Sequence, residues 1–169
     1  MASKTVPVTL LRSAYRFANL AISIDRRVRN SRGRGVKFIV DGGERGILLV
    51  RHTYGHRHWT LPGGRVRRSE APLAAARREL GEELNLTNPD LIDLGSYPGR
   101  VHRRREQVSV FLADCRAGDA VANPVELAEI GWFLENALPP DTDPTLPTSL
   151  GLLAGRRAEK AARSGRSAR

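Results

Sequence analysis

Residues 63–86 read GGRVRRSEAPLAAARRELGEELNL, and this stretch decides the fold. A glycine pair opens it, Pro72 starts a run with helical spacing, and Asn85 follows that run. Proline is tolerated in the first turn of a helix, where its missing N–H would lack an intrahelical partner anyway. The spacing predicts a helix from Pro72 to Leu84. At 100° per residue, Leu73, Ala76, Leu80 and Leu84 share one face; Glu79, Glu82 and Glu83 share another, about 120° away. One face can pack on a sheet while the other gathers negative charge. Like charges at i, i+4 repel, and a hard divalent cation turns that repulsion into ligation. Oxygen-only ligands favour Mg²⁺ or Mn²⁺ over Zn²⁺. Three glutamates alone also fit a merely solvated helix face.

Outward from the helix, the pattern changes to short apolar runs. Val36–Val40 reads as a strand, Asp41–Gly46 as a hairpin loop and Ile47–His52 as the returning strand. Trp59–Leu61 is a short extended piece before Pro62. Leu91–Tyr97, Gln107–Ala113 and Ile130–Leu134 are further strand candidates, and Pro139–Pro147 is a proline-rich loop. Thr148–Arg163 is a second helix candidate, weakened by Gly151 and Gly155. Strands on both sides of a central helix argue for a mixed α/β domain. Before it, Val8–Val28 has the periodicity of a basic amphipathic helix, followed by a linker at Arg32–Gly35. That helix can lie on a membrane surface, dock on its own domain or meet a second subunit in a homodimer. The organisation expected is therefore an N-terminal helix and linker (1–34), a central domain (35–154) and a basic C-terminal tail (155–169).

Charge follows the same division. Of the net +10, residues 1–37 hold +8, residues 155–169 hold +5, and the body between holds −3. Basic ends suit nucleic acid or another anionic surface, or are simply solvated chain ends. No apolar run approaches the roughly 20 residues that span a bilayer. The single Cys115 makes no internal disulfide, and Arg12 and Arg16 interrupt any apolar leader, so a reducing, cytoplasmic setting is expected.

The spacing within the stretch carries more than its helix. Gly64 is followed by five residues and Glu70, then by seven residues and Arg78-Glu79-Leu80-Gly81-Glu82-Glu83, then by Leu84, Asn85 and Leu86. This resembles the Nudix box, the signature of the Nudix hydrolases, at every specified position but one: Asn85 stands where the family has glycine. Asparagine is the usual substitute for glycine in a left-handed helix cap. Ser69, where glycine often precedes the Glu, and Ala71, a weak N-cap, are lesser departures. Gly46–His52, Trp59–Gly64 and Glu129–Phe133 also resemble the family, which covers about residues 35–154.

The resemblance implies an α/β/α sandwich with a mixed sheet. It also implies hydrolysis of the pyrophosphate linkage of a nucleoside diphosphate derivative, by metal-assisted attack of water on phosphorus. Glu79, Glu82 and Glu83 would hold Mg²⁺, or Mn²⁺ in its place, with the Gly64 carbonyl. Glu79 is the box's candidate general base. Arg78 and Glu70, counted with the catalytic set, would pair to fix the loop on its helix. A further carboxylate often comes from outside the box; Glu126 is preferred here, with Glu129 and Glu106 competing. Arg51, His52 and Arg103 are candidates to face substrate, since basic clusters suit phosphate. Tyr54, His56, Arg57, His58, His102, Arg104 and Arg105 flank them. His56 and His58 lack a third ligand at zinc spacing.

The proline, tyrosine and Gln-Pro-Trp signatures of the ADP-ribose, dinucleoside-polyphosphate and NADH subclasses are not found. A nucleoside triphosphate or another nucleoside diphosphate derivative remains. An RNA-associated Nudix protein and a non-catalytic nucleotide sensor are the alternatives. The complete set of box acids argues against the sensor.

Overall fold

The computed structural model describes residues 33–53, 57–87, 89–101, 104–114 and 120–167. The amphipathic helix read at 8–28, and Tyr54, His56, His102, Arg103 and Cys115, lie outside the described residues.

Six strands form one mixed sheet: β1 (Gly33–Asp41), β2 (Ile47–His52), β3 (Gly63–Arg65), β4 (Leu91–Val101), β5 (Arg104–Asp114) and β6 (Leu127–Phe133). Among the described residues there are two α-helices, α1 (Pro72–Leu84) and α2 (Leu146–Ser167). The strand order is β4-β5-β1-β2-β6, with β3 paired to β1. Among these six strands β1 and β5 are the parallel pair, in register from Gly33↔Glu106 to Asp41↔Asp114.

Strand alternation assigns the two faces. Val36, Phe38, Val40, Leu48 and Val50 pack with Ala75, Ala76, Leu80 and Leu84 of α1. Ile39, Ile47, Leu49, Val108 and Val110 pack with Leu146 and Leu153 of α2. The result is the expected α/β/α sandwich, and it explains the near-continuous apolar run of β1, which is covered on both sides. Phe38, wholly buried, contributes roughly 2–3 kcal/mol by its removal from water. Leu73 corrects the expected apolar face of α1: it is exposed, and Ala75 takes its place inside.

What positions the site is a split in the sheet. β1 and β2 pair beside their hairpin, at Asp41↔Ile47, and then part. Residues 60–66 fill the gap. Thr60 bridges Val50, the Phe38 N–H donates to the Pro62 carbonyl, and the Val66 N–H donates to the Arg34 carbonyl. The glycine pair thus lies inside the sheet, under the C-terminal half of α1.

Two expected boundaries move. Gly33, Arg34 and Gly35 were read as linker but are part of β1, because ladder partners on β5 and β3 satisfy their backbone. The Arg34 guanidinium also donates to the carbonyls of Arg67, Arg68 and Glu70, at 3.1, 3.2 and 3.2 Å. At the other end α2 continues unbroken to Ser167, so the boundary at residue 154 falls within a helix. Its Ala, Arg and Lys content outweighs Gly151 and Gly155. Among the described residues no helix is long and apolar enough to cross a membrane.

Candidate active site

The α1 helix begins at Pro72, with Ala71 making no side-chain cap, and ends at Asn85 in the left-handed conformation, φ 54° and ψ 23°. The Asn85 N–H donates to the Gly81 carbonyl and the Leu86 N–H to the Leu80 carbonyl. The asparagine therefore does the job expected of glycine and adds a bond of its own, Nδ2 to the Val121 carbonyl at 3.2 Å.

The three glutamates of one face receive three environments. Glu83 is buried, with Oε2 accepting the Gly63 N–H at 2.9 Å. Burial pushes its carboxyl up to about 8, reinforced by Glu79 and Glu126 and opposed by the Gly63 N–H and Lys37. Glu79 is largely buried and accepts the Arg65 N–H at 3.2 Å and Arg78 Nη1 at 2.7 Å. Its pKa also rises with burial, against the pull of Arg78. Glu82 is 44% exposed and accepts from Arg78 Nη1 at 3.0 Å.

Arg78 is the hub. Its other arm donates to both oxygens of Glu70, at 2.8 and 2.9 Å, and to the Arg65 carbonyl at 2.9 Å. Glu70 in turn accepts the Arg67 N–H, which closes the loop onto the helix.

Gly64 faces Glu79 so closely that a Cβ there would overlap the carboxylate. By ladder alternation with the Phe38–Pro62 and Arg34–Val66 bonds, Gly64 and Val36 form a hydrogen-bonded pair. The Gly64 carbonyl thus accepts one bond and keeps a second lone pair. Oxygen donors gathered at one helix end, two of them withdrawn from water, suit a hard divalent cation. Among the described residues no three acidic, His or Cys side chains converge on one point; Arg78 draws Glu79 and Glu82 to itself.

The remaining candidates separate. Glu126, in the turn before β6, is near enough to Glu83 for its charge to raise that carboxyl. Glu129 instead pairs with Arg51 at 3.6 Å, and Glu106 with Arg65 at 3.5 Å. His52 lies 3.8 Å from Glu83. Its pKa falls to about 4, through burial and then Lys37, so it is neutral at pH 7. Arg51 points to the other face, stacks over Trp59 at 4.7 Å and reaches Asp141 at 3.4 Å. It is held by these groups and not directed at the box.

Sequence reasoning missed Lys37. Its ammonium is buried and donates to Thr60 Oγ1 at 2.6 Å and the Leu61 carbonyl at 3.1 Å. Burial lowers its pKa, while Asp143 and Glu83 oppose that. A lone lysine inside an otherwise apolar strand was the available signal. Lys37 and Arg65 also line a cavity of about 190 Å³ with Gly35, Gly63, Glu106 and Gly64, the first residue of the box.

The NUDIX domain model matches residues 31–150. The chain belongs to the Nudix family. It is 37% identical over 95 residues to the NAD-capped RNA hydrolase NudC of Edwardsiella ictaluri, covering 55% of this chain and 36% of that protein. It is 42% identical over 71 residues to an ADP-ribose pyrophosphatase of Mycobacterium tuberculosis, covering 40% of this chain and 33% of that protein. The chain thus spans about a third of the length of these curated relatives. The fold matches the MutT NUDIX hydrolase of Burkholderia pseudomallei with a TM-score of 0.65 at 23% identity, over 73% of this chain and 98% of that one.

Proposed function

We propose that this Nudix protein hydrolyses the pyrophosphate linkage of a nucleoside diphosphate derivative with the aid of Mg²⁺ or Mn²⁺. The observation that carries the reading is the convergence of Glu79 and Glu83 on the Gly63–Gly64 backbone at the end of α1. Glu79, Glu82, Glu83 and the Gly64 carbonyl would hold the cation, with Glu126 across from Glu83. A bound divalent ion neutralises phosphoryl oxygens and lowers the pKa of an attacking water. Around it the chain supplies the rest. Glu79 would serve as the general base toward a water attacking phosphorus. Arg78 and Glu70 hold the loop in register. The neutral His52 offers a hydrogen bond without a charge. The cavity lined by Lys37, Arg65 and Glu106 would seat the moiety attached to the diphosphate.

The names of the two curated relatives favour a diphosphate of the ADP-ribose or NAD type. The missing subclass signatures favour a nucleoside triphosphate or another derivative. A hydrolysis panel with Mg²⁺ and Mn²⁺ decides between them, and a cytoplasmic setting would present both classes. Glu83→Gln is expected to abolish metal-dependent phosphate or pyrophosphate release and the rise in Tm on adding metal, a shift that follows mass action in the wild type. Unchanged turnover in Glu83→Gln would overturn the reading. Nucleotide binding without turnover across the panel would leave the sensor.

A further inference from the structure

The C-terminal half of α2 leaves the domain. Leu153 is fully buried, and Arg157 anchors the helix to Glu135 at 2.6 Å and to Asp41 at 3.1 Å. From Ala158 to Arg166 every residue is exposed. At 1.5 Å per residue this overhang is about 15 Å long. It stays helical without packing because Ala, Arg and Lys are strong helix formers, and because Arg166 in the last turn complements the helix dipole.

The overhang is two-sided. At 100° per residue Arg156, Lys160, Arg163 and Arg166 fall within about 120° of arc. Glu159 shares that arc and is drawn to Arg156 at 3.7 Å. Among the described residues Lys160 and Arg163 have no acidic partner. The opposite side carries Ala158, Ala161, Ala162 and Gly165.

This pattern chooses a partner. Membrane-surface helices sink Leu, Phe or Trp among the lipids, and α2 carries none between Leu153 and its end at Ser167. An Ala and Gly face offers little apolar area for docking a protein. What remains is charge, presented on a rod thin enough to lie along a groove or strand of a polyanion. Arg and Lys are the side chains that most often neutralise phosphates. We propose that the exposed end of α2 docks this protein on nucleic acid through the phosphate backbone, independently of the diphosphate chemistry at the box.

The test uses the full chain, a short fluorescein-labelled RNA and its DNA counterpart, and anisotropy over a salt series. Binding to either strand is expected, weakening steeply with salt. In the triple variant Lys160→Gln, Arg163→Gln, Arg166→Gln, affinity should fall about tenfold or more and the salt slope by about 2–3. Tm should be unchanged, since all three side chains are exposed, and Lys160→Arg should bind like wild type. Wild-type affinity in the triple variant would overturn the proposal, as would no binding to either strand. Tighter binding to phosphatidylserine vesicles than to nucleic acid would overturn it as well.

Discussion

Arg78 grips Glu70 with two parallel hydrogen bonds, Nε to Oε1 at 2.8 Å and Nη2 to Oε2 at 2.9 Å. The fork geometry joins a loop residue to a helix residue and leaves Nη1 for Glu79 and Glu82. Arg78→Ala strands Glu70 and partly buried Glu79 without their cation, and should cost about 3 kcal/mol of unfolding free energy. Arg78→Lys keeps the charge and loses the fork, so it should fall between. Urea denaturation at neutral pH measures both.

The same pair sets an acid limit. Arg78 above all, with the Arg67 N–H, holds the Glu70 carboxyl down at about 2, against an ordinary 4.5. A depressed carboxylate stabilises the fold fully above the unfolded pKa, and that stabilisation is lost as pH falls through the folded one. The stability gap between wild type and Glu70→Gln should therefore be flat above about pH 5 and close towards pH 2. Denaturant midpoints measured across that range test it; a gap that stays constant to pH 2 would contradict it.

Two adjacent glycines should fail differently. In Gly64→Ala the new methyl meets the flexible end of Glu79, which can swing away. Stability should change by about 1 kcal/mol or less, while metal-dependent turnover falls about tenfold or more as Glu79 leaves its place. In Gly63→Ala the methyl meets the Val36 backbone, at a residue with φ 153°. That breaks the β1–β3 pairing, and the cost appears in Tm. Equal effects of the two substitutions on Tm would refute the distinction.

Asn85 offers a test of the helix end. A β-carbon without a local polar group costs about 1–2 kcal/mol in the left-handed region. Asn85→Ala should lose about that much, plus the bond to Val121. Asn85→Gly loses only the bond and should be the milder change. Thermal unfolding of both variants distinguishes them.

The legible part of the site was its local part. Glu79, Glu82 and Glu83 share a face because 3.6 residues make a turn, and Pro72 and Asn85 bound the helix through conformational limits of their own. The strands at Val36, Ile47 and Gln107 were visible as apolar runs, with ends that tertiary pairing then extended: Pro98 lies within β4 and Gly33–Gly35 within β1. Arg34 looked like linker because nothing within a few residues of it reveals the loop carbonyls it meets.

The amino-acid order alone determined the helix, its caps, the spacing of its acids and the family those imply, since each depends on neighbours a turn or two away. Only the folded chain decided that Glu83 is buried while Glu82 meets water, that Lys37 lies with Thr60 and Asp143, and that Arg51 turns away from the box. Those outcomes depend on where β1 and β2 part to admit residues 60–66, and on contacts between groups as much as 106 positions apart. No local periodicity encodes such meetings; the packing of two helices on one sheet selects them.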